Sequence, residues 1–452
     1  MTAPVATRSA IERKGIEWVA GDERSGNPRR HFWLWTAANL NPFVIATGLL
    51  VLELGLSWWK AIIAIVVGVA VGYPLVGLMA LAGLRGGAPT LTLSRATFGY
   101  DGNKIPALLA YLACVGWEAI ALFLSASATE TLIDRVVPGI DRNLLLGAGL
   151  AVTGVITAVI ALYGYHLIMR AQKWITLAMT VAIIGYGVLV VRKLGLPDHP
   201  PAHGDGPLLA GISFVIAGGG LAWVMAGADY SRYLPSTVSP RGVVGWTTLG
   251  GATAPIMLML FGVFAGTASP ELAARAAQDP LGALTVPLPT WFCVPFLLTM
   301  ILGLVGSGVV NLYSSGLNLL ALGVKLPRPR TILVDATLVV LASGYLIFLS
   351  PSFLATFETF LGFLGVPLAA WCAIFLADFY FRHRAGYAPA ALYPVDRRRM
   401  DIEPAAATAL AAAALLGLSL DRIFDATRPG ILVAFVVGGI LYAGLVFRTR
   451  RS

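Results

Sequence analysis

The chain has 452 residues, 57% of them apolar and only 12% Asp, Glu, Lys or Arg, with a mean hydropathy of +0.79. A soluble chain carries about 25% charged residues, so this composition excludes an ordinary soluble enzyme, a nucleic-acid-binding domain and a disordered scaffold. The formal net charge of +9 matters less than where the individual charges fall.

A membrane-spanning helix needs about 20 consecutive apolar residues. Apolar runs between charged or Pro/Gly breaks predict twelve such helices, over 32–52, 58–84, 104–133, 141–165, 171–192, 208–230, 242–268, 288–322, 331–349, 352–381, 403–420 and 430–447. The eighth and tenth runs exceed one crossing and are expected to include a tilted or extracellular part. Residues 1–31 are polar and basic and read as a cytoplasmic tail, not a cleavable signal. With the amino terminus inside, 24 of the 32 Lys and Arg residues fall on the cytoplasmic side and eight outside. The positive-inside rule then places both termini in the cytoplasm. The fold class predicted is an all-α polytopic membrane protein with twelve transmembrane helices in the cell membrane. The basic balance is topological, and no nucleic-acid partner is needed to explain it. The Arg397-Arg398-Arg399 run reads as a cytoplasmic anchor. Cys114, Cys293 and Cys372 each sit inside an apolar run and imply neither a disulfide framework nor a Cys metal site.

Two spans are interrupted. The first carries Ala38-Asn39-Leu40-Asn41-Pro42 and the sixth carries Gly218-Gly219-Gly220. Backbone breaks at membrane depth survive only where protein or a water-filled cavity satisfies the freed groups. Paired interruptions five helices apart are the pattern of inverted-repeat transporters with a midplane site. On that reading residues 32–192 and 208–381 form the two repeats. Residues 403–447 add helices 11 and 12, and 448–452 form a cytoplasmic tail.

The intramembrane polar inventory is short: Trp117 and Glu118 in the third span, Trp223 in the sixth, and Ser307, Asn311, Tyr313, Ser314, Ser315 and Asn318 in the eighth. An indole face stacks on a flat heterocycle, and a carboxamide offers one donor and one acceptor in a plane. Nucleobases, hydantoins and ureides present the complementary edge. Glu118 is the deepest carboxyl, and such groups mark a pathway or a buried pair. Asp229, Asp335, Glu358 and Asp378 lie nearer span ends, as caps or inter-helix pairs.

Six blocks in order then resemble the nucleobase:cation symporter-1 family of purine, cytosine, uracil, allantoin and hydantoin permeases. They are FWLWTAANLNPFVIATG (32–48), LSRATFG (93–99), VGWEAI (115–120), ADYSRYLP (228–235), NLYSSGLNLLALG (311–323) and FLGVPLAAWCAIFLADFYFRHR (363–384). The resemblance implies a five-plus-five inverted-repeat (LeuT-like) fold plus two C-terminal helices. It also implies a heterocycle sandwiched between Trp117 and Trp223 and gripped by Asn311. Trp223 follows the fungal purine–cytosine spacing, whereas a hydantoin-type pattern puts its Trp at the position of Gly220. Where the family usually has Gln or Asn, four residues after the first Trp, this chain has Ala121.

Glu118 is left with three readings: a replacement for that amide, a proton carrier, or a carboxyl paired to Asn39 or Asn41. For the co-transported cation, sodium-coupled relatives offer helix 1 carbonyls, here about Thr36 and Asn39, and helix 8 hydroxyls. Those hydroxyl positions fall on Val305 and Gly306, which have none, with Ser307 one step off. A proton is therefore favoured over sodium. No other cofactor is implied. Leu361, Phe363 and Leu364 on helix 10 are expected to form the outward gate, and the transporter is expected to act as a monomer in the lipid bilayer on a small heterocyclic substrate.

Two competing readings remain. One is a sodium-coupled symporter of a hydantoin- or vitamin-like heterocycle. The other is an integral-membrane enzyme, which would need a cluster of His and carboxylates or a nucleophile beside a base. The five histidines, His31, His166, His199, His203 and His383, make no such motif. The His199–His203 spacing resembles a metal pair but lies in a Pro-rich external loop.

Overall fold

Proline restricts the residue before it to extended backbone, and Asn41 adopts that conformation (φ −145°, ψ 152°). Helix α1 (Arg29–Asn39) therefore ends there, and α2 (Pro42–Glu53) restarts with Pro42 in its first turn, bent 63° from α1. The sixth span breaks the same way. Helix α7 (Leu208–Gly218) stops at Gly219 (φ −108°, ψ −111°), and α8 (Gly220–Trp223), a 3-10 turn over Val224–Ala226 and α9 (Gly227–Ser231) carry the chain onward. Both interruptions expected from sequence are present.

The remaining spans are α3 (Trp58–Gly86), α4 (Lys104–Val136), α5 (Arg142–Tyr163), α6 (Tyr165–Leu194), α10 (Pro240–Ala268), α11 (Thr290–Leu322), α12 (Arg328–Phe348), α13 (Phe353–Asp378), α14 (Pro404–Ile423) and α15 (Gly430–Thr449). This computed structural model describes residues 15–163, 165–195, 204–324, 328–393 and 400–449. The His199–His203 pair and the Arg397–Arg399 run lie outside the described residues, as do the ends of both tails. Among the described residues there is no strand beyond an isolated bridge between Leu56 and Asp205. Ten helices are long and apolar enough to cross a membrane, or eleven when α1 and α2 count as one bent span. The ninth predicted span falls on α12 (Arg328–Phe348), 21 residues long. The eighth predicted span, expected to include a tilted or extracellular part, is one continuous helix of 33 residues, α11. The irregular stretch lies just before it, as short helices Pro270–Ala276 and Pro280–Thr285.

Two groups of helices pack around the breaks. Helices α1, α2 and α3 pack with α10, and α7 and α8 with α3, whereas α4 packs with α5, α11 and α12. A third group, α13 with α14 and α15, leans on both. Glycine permits the closest crossing: a side chain on Gly220 would overlap the Gly72 backbone of α3.

The LSRATFG block is a buried clasp. Arg95 is 3% exposed and donates to the carbonyls of Ala321 and Leu392, both at 3.2 Å. Ser94 accepts from the Trp371 indole at 2.9 Å, and Thr97 donates to Asp378 at 2.9 Å. Asp229 accepts from the Thr90 hydroxyl and amide, each at 2.9 Å. The carboxylates read as inter-helix pairs do serve that way, Glu358 included, which meets Arg428 at 3.2 Å. A buried charge needs such partners to offset its desolvation.

Candidate functional site

The broken segments of the first and sixth spans face α4 and α11 across a cavity with about 100 Å³ open to the centres of water molecules. Trp117 from α4, Trp223 from α8 and Asn311 from α11 all line it, as do Ala121, Asn39 and Ser307. These residues are more than 270 positions apart at the extremes, so only tertiary packing collects them. The Asn311 side-chain amide has no partner among the described residues and is only half-buried, leaving its donor and acceptor to the cavity.

Asn39 has a different job. Its carbonyl oxygen accepts from the Trp223 indole at 3.1 Å and the Tyr73 hydroxyl at 2.7 Å, while its NH₂ donates to the Trp35 carbonyl at 2.9 Å. A fully engaged amide holds its partners in one orientation. Trp35 meets Trp223 edge-on at 5.6 Å, completing the frame. The Thr36 hydroxyl is likewise engaged, donating to the Gly250 carbonyl on α10 at 3.1 Å. Gly220 is not among the residues lining the cavity; it sits at the α3 crossing. Asn41 does line it, and its buried side-chain oxygen is unpartnered among the described residues. The Asn-Leu-Asn-Pro break was the signal for Asn41, which sequence reasoning used as an interruption and as a candidate partner for Glu118 but not as a lining residue.

Glu118 is not paired to Asn39 or Asn41. At about 100° per residue it points well away from Trp117, into a separate cavity between α4, α5, α11 and α12. The gate also differs from the expectation. Phe363 is 64% exposed, because it lies more than a quarter turn from the face carrying 357, 360, 361 and 364. The rings resting on Trp117 are Phe357 and Phe360, each edge-on at 5.6 Å. Phe357 also meets Phe43 and Phe214, so α2, α4, α7 and α13 converge on one ring. Leu364 is buried in the core, and Leu361 lines a wider cavity rimmed by Glu53, Glu358, Asp421, Asp425 and Arg428.

Residues 19–446 match the family described as permeases for cytosine/purines, uracil, thiamine and allantoin. The chain belongs to this family. YxlA of Bacillus subtilis (strain 168), a purine-cytosine permease by assignment, is 27% identical over 399 residues, covering 85% of this chain and 83% of that protein. The purine-cytosine permease FCY22 of Saccharomyces cerevisiae is 25% identical over 403 residues, covering 84% and 73%. In fold, the permease is similar to the nucleobase-cation-symport-1 transporter Mhp1, closed with bromovinylhydantoin bound, at a TM-score of 0.73 and 18% identity, over 96% of this chain and 94% of that one. A Na⁺-coupled sialic acid symporter shares the fold more distantly, at a TM-score of 0.52 and 13% identity, over 92% and 98%. The resemblance found in the six blocks is thus shown, and this permease is an integral membrane transporter of nucleobase type, not an enzyme.

The frame around Trp223 makes a prediction. Asn39→Ala leaves the indole and the Tyr73 hydroxyl without their shared acceptor, which costs about 1–3 kcal/mol for groups left unsatisfied. The variant is expected to insert but to show a KM for its base raised about tenfold or more, because a loosened ring loses stacking geometry. An unchanged KM in concentration-dependent uptake would remove this role.

Proposed function

We propose that this permease imports a nucleobase or a related flat heterocycle, of the purine, cytosine, uracil or allantoin class, together with a proton. The observation that carries the reading is one cavity lined by two indoles, Trp117 and Trp223, and by the unengaged amide of Asn311. Stacking supplies affinity that tolerates many bases, and the amide selects the edge. Asn41 offers a second amide in place of the one that Ala121 lacks. Residues 32–192 and 208–381 act as the two repeats, and rocking of the broken-helix group against the α4–α5–α11–α12 group exposes the cavity to each side in turn. Phe357, Phe360 and Leu361 close it outwardly. The transporter works as a monomer in the cell membrane, with both termini cytoplasmic.

Proton coupling is favoured over sodium by the missing oxygens. A hard cation wants several oxygen ligands, yet Val305 and Gly306 carry no hydroxyl and Ser307 lines the substrate cavity. The test is uptake of radiolabelled cytosine, adenine, hypoxanthine, uracil and allantoin by cells lacking their own permeases. Saturable uptake of one base, collapsed by a protonophore and indifferent to sodium, is the expected result. A strict sodium requirement would overturn the coupling, and failure of every base with correctly inserted protein would overturn the substrate class.

A further inference from the structure

Glu118 is 3% exposed, and among the described residues neither of its carboxyl oxygens has a hydrogen-bond partner. It borders a small cavity with about 30 Å³ open to water centres, lined otherwise by apolar groups and by Ser125 and Thr157. That is room for one or two waters, since one needs about 10–15 Å³ by this measure. Both hydroxyls already donate to carbonyls of their own helices, Ser125 to Ala121 at 2.8 Å and Thr157 to Thr153 at 2.8 Å. They keep only lone pairs to offer. The cavity therefore contains acceptors for a proton-bearing acid and no side-chain donor free for a carboxylate.

The charged surroundings point the same way. Glu118 is the titratable group lining the cavity; Tyr111 and Cys114 on its own helix and Asp335 on α12 do not line it. The residues of α5 and α11 that line the cavity include no titratable group. Asp335 accepts hydrogen bonds from the Tyr111 hydroxyl and, at 2.8 Å, from Ser315. Asp335 thus has two donors, whereas Glu118 has none among the described residues and borders a cavity that offers only acceptors, surroundings suited to an acid that bears its proton.

Two residues border both cavities: Ala121 and Leu304. On the α4 wheel, Ala121 falls about 40° from Trp117 and about 60° from Glu118, between the two faces. The methyl that replaces the family's amide therefore leaves only a thin wall. We propose that Glu118 carries the coupled proton, loaded and unloaded through the seam at Ala121 and Leu304 that joins its cavity to the substrate cavity. One proton enters from whichever side the substrate cavity faces and leaves by the same seam after the cavity has turned. Glu118 ionises only while water reaches it through that seam. A bound base displaces that water, so the loaded cavity closes with the proton in place. The empty cavity keeps its water and returns with Glu118 ionised, so one proton crosses per base. Base and proton then share one access and cross together.

This inference rests on the transport reading above, and the experiment separates the two. Purified protein in liposomes is assayed with radiolabelled cytosine, adenine, hypoxanthine and allantoin, by counterflow exchange at equal pH and by accumulation under a gradient of one pH unit. One proton per base supports up to about tenfold accumulation under that gradient. In Glu118→Gln, accumulation is expected to fall to about unity while exchange, which needs no net proton movement, persists. Accumulation by the variant equal to wild type overturns the proposal but leaves a transporter. Absence of exchange in the wild type overturns the transport reading instead. Should Glu118→Gln lose exchange as well, the intact chain decides: a hydrophobic carbodiimide, which reacts with protonated carboxyls, is expected to modify Glu118 by peptide mass spectrometry. Ala121→Leu, which fills the seam, should slow that modification about tenfold or more. No modification of Glu118, or a rate unaffected by Ala121→Leu, would overturn the proposal.

Discussion

Asn311→Ala is expected to abolish measurable base uptake while the protein still inserts and purifies as a single species. The amide supplies the donor and the acceptor that the cavity keeps unengaged, and a heterocycle stacked between two indoles has its polar edge desolvated. Sites built to hydrogen-bond a substrate lose about 10⁴–10⁵ in discrimination when a partner is missing, because the remaining buried group is left unpaired. A loss of about 10²-fold in uptake efficiency is the conservative expectation, at the upper end of the roughly 1–3 kcal/mol of an unsatisfied buried polar group. Stability should scarcely change, since Asn311 bonds no other described side chain. Asn311→Gln, which keeps the amide but moves it by one methylene, should recover part of the activity for one base and not for others. Near-normal uptake by a well-inserted Asn311→Ala protein would remove Asn311 from the site.

Asp378→Ala should produce the largest loss of stability, with no direct effect on substrate chemistry. The carboxylate is fully buried at the C-terminal end of α13. It accepts from Thr97 at 2.9 Å and from Tyr442 at 2.5 Å, with the His383 ring nitrogen 2.9 Å and Arg382 3.4 Å away. Four partners from three parts of the chain thus meet on two oxygens. Removing one member of a buried charged network costs about 3–5 kcal/mol, because the others stay buried without it. That is a large part of the 5–15 kcal/mol by which a typical native protein exceeds its unfolded state. The expected outcome is a sharp drop in monodisperse protein on size-exclusion chromatography and a much lower melting temperature. Wild-type thermal stability would show that Thr97, Tyr442 and Arg382 find other partners. Asp378→Asn should fall between the two, retaining the hydroxyl donors' acceptor while losing the charge.

The two predictions differ in how far they could be read from sequence. Asn311 was legible because a carboxamide deep in an apolar run has few inexpensive roles, and its motif named one. Asp378 was legible only as an inter-helix pair, since its partners lie as far away as Thr97 and Tyr442 in the chain. Sequence reasoning singled out Phe363 and not Phe357 and Phe360, the rings that meet Trp117, because a helix rich in Leu and Phe offers hydrophobic side chains on every face. Asn39 was read for its backbone carbonyl and as a candidate partner for Glu118; that its side chain also accepts from the Trp223 indole was not foreseen.

Linear sequence by itself determined the membrane class, the position of each span, both helix breaks and the family. Those properties depend on local chemistry: apolar runs set by bilayer thickness, Pro42 and Gly219 acting on their own backbone, and motifs that are contiguous. Tertiary structure alone decided where each helix face points. Periodicity fixes the angle between Trp117 and Glu118 but not the rotation of α4 against its neighbours, which packing with α5, α11 and α12 sets. That rotation sends one indole into the substrate cavity and the adjoining carboxyl into a second cavity behind it, with Ala121 between them.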